Sequence, residues 1–253
     1  MNGSRIATDA IPLRNLRKDV EVERQAQFVF AASVPQISAI IPTLNEADRI
    51  AAAVSALQGA DVSEILVIDA QSNDDTARVA EELGCLTFQS PNRSRARQLN
   101  IGADKSSGEV LLFLHADTIV SKASIDRLRS VMDSHPEILG GGFTRLFDSP
   151  SVFLKVTCFF AAIRSKMFGL FLGDQAMFVR KEQFMKLGGF DESLAKGEDL
   201  NFSARLRTSG KTTTLSPAVL SSARRFEKHG PLIQTWKDSC AATRILRDGR
   251  RSK

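Results

Sequence analysis

From Ile37 onward the chain alternates short aliphatic runs with amphipathic stretches, and that alternation restricts the fold more than any other feature. The pattern predicts strands at 37–41, 64–69, 85–89 and 110–114, separated by helices at 48–58, 76–83 and 93–103. Consecutive parallel strands need a crossover long enough to hold a helix, so such a series winds into a parallel sheet covered on both faces. Runs such as Ile65-Leu66-Val67-Ile68 and Val110-Leu111-Leu112-Phe113-Leu114 are apolar at every position, as strands buried on both sides must be. The expected fold class is α/β: an open, mostly parallel, doubly wound sheet in a single domain. Past residue 119 the pattern loosens into a helix at 124–134, a glycine run at 140–142 where the sheet bends, and an apolar helix at 153–167. A strand at 176–180, a short helix at 181–187 and a helix opening at Gly197-Glu198-Asp199-Leu200 follow.

With 43% apolar and 25% charged residues the chain has enough hydrophobic material for one sizeable core, which excludes disordered, collagenous and coiled-coil classes. Cys85, Cys158 and Cys240 are odd in number and widely spaced, so neither a disulfide framework nor a close-spaced zinc motif is expected, and a reducing compartment is. The net charge of +5 is uneven: residues 224–253 hold nine Lys/Arg and three Asp/Glu, or +6, leaving the rest near −1. That distribution argues against a nucleic-acid partner and confines polyanion contact to the tail. The apolar stretch from Val152 to Leu172 is interrupted by Lys155, Arg164 and Lys166, and falls short of a membrane span. Phe28–Ala32 is too short for a signal-peptide core, and Asp9, Asp19, Glu21 and Glu23 do not suit a transit peptide. The expectation is a cytoplasmic protein with room for peripheral membrane contact. It divides into a partly helical extension over 1–35, a domain over 36–225 and a basic C-terminal helix and tail over 226–253.

In open α/β sheets ligands bind where the strands end, so the polar residues there are the first candidates for chemistry. The first strand closes in Pro42-Thr43-Leu44-Asn45-Glu46, the second in Asp69-Ala70-Gln71-Ser72-Asn73-Asp74-Asp75-Thr76, and the fourth in His115-Ala116-Asp117-Thr118. Three strand ends that offer carboxylates to one crevice do not hold an anion directly. Either a divalent metal intervenes or the carboxylates face sugar hydroxyls. Asp74 and Asp75 stand just before a helix, where acids favour the free N–H groups, and a structural role is expected for them.

These segments, with Asn100-x-Gly102, Phe113-Leu114-His115-Ala116-Asp117, Gly188-Gly189-Phe190-Asp191-Glu192 and Gly197-Glu198-Asp199, occur in an order and spacing that resembles the family 2 glycosyltransferases of GT-A fold. The resemblance runs from about Ile37 to Gly210, roughly two-thirds of the chain. Ser94-Arg95-Ala96-Arg97-Gln98-Leu99-Asn100, Gly173-Asp174-Gln175 and Ser222-Ala223-Arg224-Arg225-Phe226 are most similar to a subgroup labelled arsenosugar biosynthesis glycosyltransferases.

The resemblance implies an inverting transfer from a nucleotide diphosphate sugar, UDP- or GDP-linked, to the hydroxyl of a small-molecule or lipid-linked acceptor. It assigns Asp117 to a Mn²⁺ or Mg²⁺ that bridges the donor diphosphate, and His115 stands where the family has another acid. An imidazole binds Mn²⁺ better than Mg²⁺, so His115 is either a second ligand or a hydrogen-bond donor. Pro42, Thr43, Asn45, Glu46, Asp69 and Ala116 map onto the nucleotide pocket. Ala70 replaces an acid common in the family, which leaves uridine and guanosine both open. Asp199 maps onto the catalytic base and Glu198 onto its support. Gly173, Asp174 and Gln175 map onto the sugar and acceptor edge, while Arg97, Arg224 and Arg225, with Arg95, are candidates for anion contacts, because guanidinium groups match phosphate oxygens. The helix at 153–167 reads as core, with an acceptor groove or lipid contact as the alternative. The assignment also leaves room for a homodimer.

Two other readings are weaker. A nucleotidyltransferase would need a glycine-rich basic loop after the first strand, where Pro42-Thr43-Leu44-Asn45-Glu46 is acidic. A non-catalytic nucleotide-sugar-binding scaffold would explain His115 and Ala70 but not the retained Asp117 and Asp199.

Overall fold

The computed structural model describes residues 34–224 and Phe226, and a compact unit begins at Pro35. The expected N-terminal extension and C-terminal tail therefore lie outside the described residues, apart from Val34, Pro35 and Phe226. The elements are β1 (Ile37–Thr43), α1 (Ala47–Gln58), β2 (Glu64–Asp69), α2 (Thr76–Glu82), β3 (Leu86–Gln89), α3 (Arg95–Lys105), β4 (Val110–Phe113) and β5 (Thr118–Ile119). They continue as α4 (Lys122–Ser134), β6 (Ile138–Phe147), α5 (Val152–Phe168), a 3-10 turn at Gly173–Gln175, β7 (Met177–Arg180), α6 (Lys181–Lys186), α7 (Glu198–Ser209) and β8 (Lys211–Ser221).

These strands form one sheet in the order β3-β2-β1-β4-β7-β6-β8-β5. Its first half is the parallel array implied by the alternation: β1 pairs in parallel with β2 and β4, and β2 with β3. The second half is mixed. β7 runs antiparallel to both β4 and β6, β5 antiparallel to β8, and β6 parallel to β8. The reversal has a plain cause: α5 leaves the sheet after β6 and the chain re-enters at the same end, so β7 must run back against its neighbour. Because Met177 at the start of β7 pairs with Phe113 at the end of β4, this re-entry lies at the carboxyl ends of the parallel strands.

Alternation along β1 divides the core. Ile37, Ala39 and Ile41 join one cluster, with Val67 and Leu112, while Ile40 points to the other, with Leu66, Ile68, Leu111 and Phe113. The second cluster is held by phenylalanines: the chain has sixteen Phe and no Tyr, so aromatic bulk enters this core without a hydroxyl that needs a partner. Phe113, Phe184, Phe190 and Phe202 meet at ring-centroid distances of 4.9 to 5.4 Å. Through them the Gly188-Gly189-Phe190 turn and α7 are seated beneath β4.

The glycine run at 140–142, expected as a bend, lies within β6 and is paired on both sides. A Cβ at Gly140 would stand 2.5 Å from the Phe178 carbonyl oxygen, and one at Gly141 would drive into the Thr213 carbonyl oxygen. The register with β8 slips on either side of the run, at Ile138/Gly140 and Phe143/Arg145, so the glycines let β6 curl while neighbouring backbones close on it. Gly141→Ala should therefore destabilise the fold by about 1–3 kcal/mol, the usual cost of overpacking, read as a lowered denaturation midpoint at an unchanged slope.

Candidate active site

The carboxyl ends of β1 and β4, the start of α3, the 3-10 turn and the loop into α7 enclose a cleft of about 830 Å³. At the β1 end the Thr43 hydroxyl donates to the Asp69 carboxylate at 3.1 Å, and that carboxylate also accepts the Ser72 N–H at 2.8 Å. The Gln98 amide of α3 donates to the carbonyls of Thr43 and Ile68 at 2.8 and 2.6 Å, which locks the ends of β1 and β2 to one helix. Asn45 takes a left-handed conformation, φ 56°, that asparagine tolerates, and its side-chain oxygen accepts the Asn73 N–H. Asp74 accepts the N–H groups of Ala47 and Thr76, and bonds from Thr76, side chain first, draw its pKa below the ordinary value. It is structural, as expected, and Asp75 pairs with Arg78.

Beyond β4 the chain continues through His115 and Ala116 to Asp117, whose carboxylate is nearly buried. Arg224, just after β8, places its Nε 3.1 Å from Asp117 Oδ2 and grips Glu46 with both terminal nitrogens, one at 2.9 Å. Burial raises the Asp117 pKa, Arg224 pulls it down, and Glu46 pushes it up again. On the far side Arg95 meets the His115 ring at Nε2 and lies 3.4 Å from Glu198. A guanidinium only donates, so Nε2 must accept and the ring proton belongs on Nδ1, which faces Asp117 at 4.0 Å. Burial holds the Glu198 carboxyl above its ordinary value, against Arg95 and together with the adjacent Asp199.

Glu198 and Asp199 open α7, where the helix dipole favours acids. Asp199 Oδ2 accepts the Gly173 N–H, and Oδ1 accepts the Leu200 N–H at 2.7 Å. The backbone approaches closely here: a Cβ at Gly173 would lie 2.6 Å from His115 Nε2 and 2.7 Å from Arg95 Nη2, side-chain ends that would have to shift. Asp174 receives an ion pair from Arg145, a mostly buried side chain that stacks over Phe147.

Of the residues expected at the site, Pro42, Thr43, Glu46, His115, Ala116, Asp117, Gly173, Asp174, Glu198, Asp199 and Arg224 line this one cleft. Four do not. Asp69 is 1% exposed and works from behind Thr43, Asn45 turns outward to the β2 loop, and Arg97 pairs with Glu192 on the surface. Gln175 is fully buried: its amide nitrogen donates to the Phe143 carbonyl and its oxygen accepts from Arg164 and the Leu172 N–H, so its amide is turned into the interior and away from the cleft. Arg225 lies outside the described residues. Residues 192–197 also line the cleft, as does Arg93; no charge pattern in that loop announces it.

The donor set can be tested against a divalent metal. Among the described residues no three His, Cys, Asp or Glu side chains gather as a metal cluster. Asp117 supplies one carboxylate at the mouth of an oxygen-accepting cleft, and Mg²⁺ or Mn²⁺ is commonly held by one or two carboxylates with substrate phosphates and waters. Asp117 could supply one such carboxylate to a divalent ion. His115, engaged by Arg95 and facing Asp117, is better placed as a positioning group than as a second ligand.

This fold is that of the GT-A proteins. The family model described as glycosyl transferase family 2 matches residues 38–185, more than half of the chain, and the chain belongs to that family. An uncharacterized glycosyltransferase of Rickettsia felis is 34% identical over 100 residues, 40% of this chain and 35% of that protein. Glycosyltransferase AglE of Haloferax volcanii is 22% identical over 204 residues, 75% of this chain and 67% of that protein. The chain thus spans about a third of the length of the Rickettsia relative it matches. Among solved structures, the Pyrobaculum calidifontis mannosyltransferase PcManGT, in complex with GDP-Man and Mn²⁺, superposes with a TM-score of 0.60 at 18% identity, over 80% of this chain and 63% of that one. Staphylococcus aureus TarS 1-349 in complex with UDP-GlcNAc gives 0.61 at 18%, over 74% and 58%.

Gly173→Ala should leave stability within about 1 kcal/mol of the parent, since the atoms it meets are side-chain ends that can move. It should displace the His115 ring resonances in an NMR spectrum. Unmoved resonances would contradict the packing of Gly173 against His115 and Arg95.

Proposed function

We propose that the chain transfers a sugar from a nucleotide diphosphate sugar to an acceptor hydroxyl, with inversion at the anomeric carbon. The observation that carries this reading is the convergence of Thr43, Glu46, Arg95, Asp117, Asp199 and Arg224 on one cleft large enough for such a donor. The names of its relatives and the nucleotide sugars bound by PcManGT and TarS support it. The domain responsible is the stretch expected over 36–225, within which the family match falls.

In this reading Asp199 is the general base. The acceptor hydroxyl gives its proton to the free face of the Asp199 carboxylate as its oxygen attacks the anomeric carbon, and the bond from that carbon to the diphosphate breaks. The Gly173 and Leu200 N–H groups hold that carboxylate in place. Glu198 orients Arg95, and Arg95 and Arg224 face the departing diphosphate with fixed positive charge. Asp117 would hold Mn²⁺ or Mg²⁺, which supplies Lewis-acid neutralisation of the leaving group when bound. Thr43, Glu46 and Asp174 complete the contacts to base, ribose and sugar.

Calorimetry with UDP and GDP, each with and without Mn²⁺, tests the reading. One nucleotide should bind, more tightly with metal, and Asp117→Asn should remove the metal-dependent part. Asp199→Asn should keep that affinity and lower turnover by about 10²–10⁴-fold, the range for a lost general base. Failure of both nucleotides to bind would overturn the proposal.

A further inference from the structure

The outer face of α5 carries an apolar stripe that no other described element covers. Val152, Val156, Phe159, Phe160 and Met167 are 45 to 73% exposed and recur at helical spacing, with Ile163 between them, while Leu154, Cys158, Ala161 and Ser165 are buried on the opposite side. The Phe159 and Phe160 rings meet edge to face at 5.7 Å within the stripe. Charge says what such a face can meet. α5 has no Asp or Glu, and its exposed Lys155 and Lys166 stand three turns apart, so both fall along one border of the stripe. The chain leaves the described structure beside this helix: Phe226 packs with Leu154 and Phe153, and the sequence from 227 to 253 adds seven Lys/Arg against three Asp/Glu.

An antiparallel second copy would set these lysines against one another, and the sequence after 226 is itself basic. An anionic surface suits both the border and the tail. No described helix is long and apolar enough to cross a membrane, so the arrangement is that of a helix lying in an interface, with aromatics in the acyl boundary and lysines at the headgroups. We infer that α5 docks the chain on an anionic phospholipid bilayer through Phe159, Phe160 and their neighbours. Arg164 ties the end of α5 to Leu170 and Gln175 beside the Gly173–Asp174 wall of the cleft, so docking would hold the cleft one helix away from a bilayer that could carry a lipid-linked acceptor. Only this last consequence rests on the transferase reading.

Co-sedimentation of the full chain with vesicles of phosphatidylcholine, alone or mixed with phosphatidylglycerol, tests the inference. The chain should bind the mixed vesicles, more weakly at high salt. The variant F159S/F160S should bind them at least about tenfold more weakly with an unchanged melting temperature, because it removes only exposed apolar surface. K155E/K166E should lose the preference for the anionic lipid. Absence of binding, or equal binding by F159S/F160S through the tail alone, would overturn the inference. So would a lower melting temperature of that variant, which would mean that the C-terminal segment covers the stripe, or loss of a dimer, which would mean that a second copy does. A chain that binds vesicles but no nucleotide would keep this inference and remove the transferase reading, and the reverse result would do the opposite.

Discussion

One guanidinium joins three distant parts of the chain. Arg224, after the last strand, bridges Glu46 after β1 and Asp117 after β4. Without a cation between them, the two carboxylates would stand in the same cleft and each would raise the cost of ionising the other. The pattern recurs across the cleft, where Arg95 faces Glu198 beside Asp199. The cleft is thus built from acid pairs, each with its own arginine.

That construction bears on what the cleft can accept. A bare diphosphate would have to draw Arg224 and Arg95 away from carboxylates and leave partly buried negative charges unmatched, which is costly. An anion that arrived with its own cation would turn the event into an exchange, in which Asp117 would hold the cation and the arginines would be free to face phosphate oxygens. On the proposed reading, the dependence on metal comes from the carboxylates already paired in the protein as much as from the chemistry of the leaving group.

The first half of the fold was legible because parallel strands buried on both faces leave an unbroken apolar signature, and because the crossovers between them leave a helical period. The second half was not. Strand reversal at β7 depends on where α5 returns the chain, and nothing local in Met177–Arg180 states a direction. The Gly140–Gly142 run stayed open for a related reason: glycine marks both a bend in a sheet and a strand closely approached by its neighbours, and the positions of Phe178 and Thr213 show the close approach within a curled strand. In the site, Asp117, Asp199, Glu46 and Arg224 could be picked out through the motif series and the family it resembles, since position alone does not separate them from structural acids at a helix start such as Asp74 and Asp75. Gln175 could not be judged, because a glutamine beside a glycine looks the same whether its amide faces a sugar or the Phe143 carbonyl. His115 lies between these cases, since its role turns on which nitrogen Arg95 reaches.

The same re-entry that reverses β7 also couples the outer surface to the chemistry. Arg164 leaves α5 on its inner side, and burial lowers its pKa to about 10, with Arg145 acting in the same sense and Asp199 against it. It stays charged at neutral pH and spends its hydrogen bonds on the Leu170 carbonyl and on Gln175, which in turn holds Leu172 and Phe143. Gly173 is carried between these fixed points, and its N–H holds Asp199. A tilt of α5 would bear on Gly173 through Arg164 and Gln175, because these two bonds of a buried guanidinium are costly to give up. The contacts from α5 through Arg164, Gln175 and Gly173 end at the Asp199 carboxylate, so the outer helix and the proposed base share one series of hydrogen bonds.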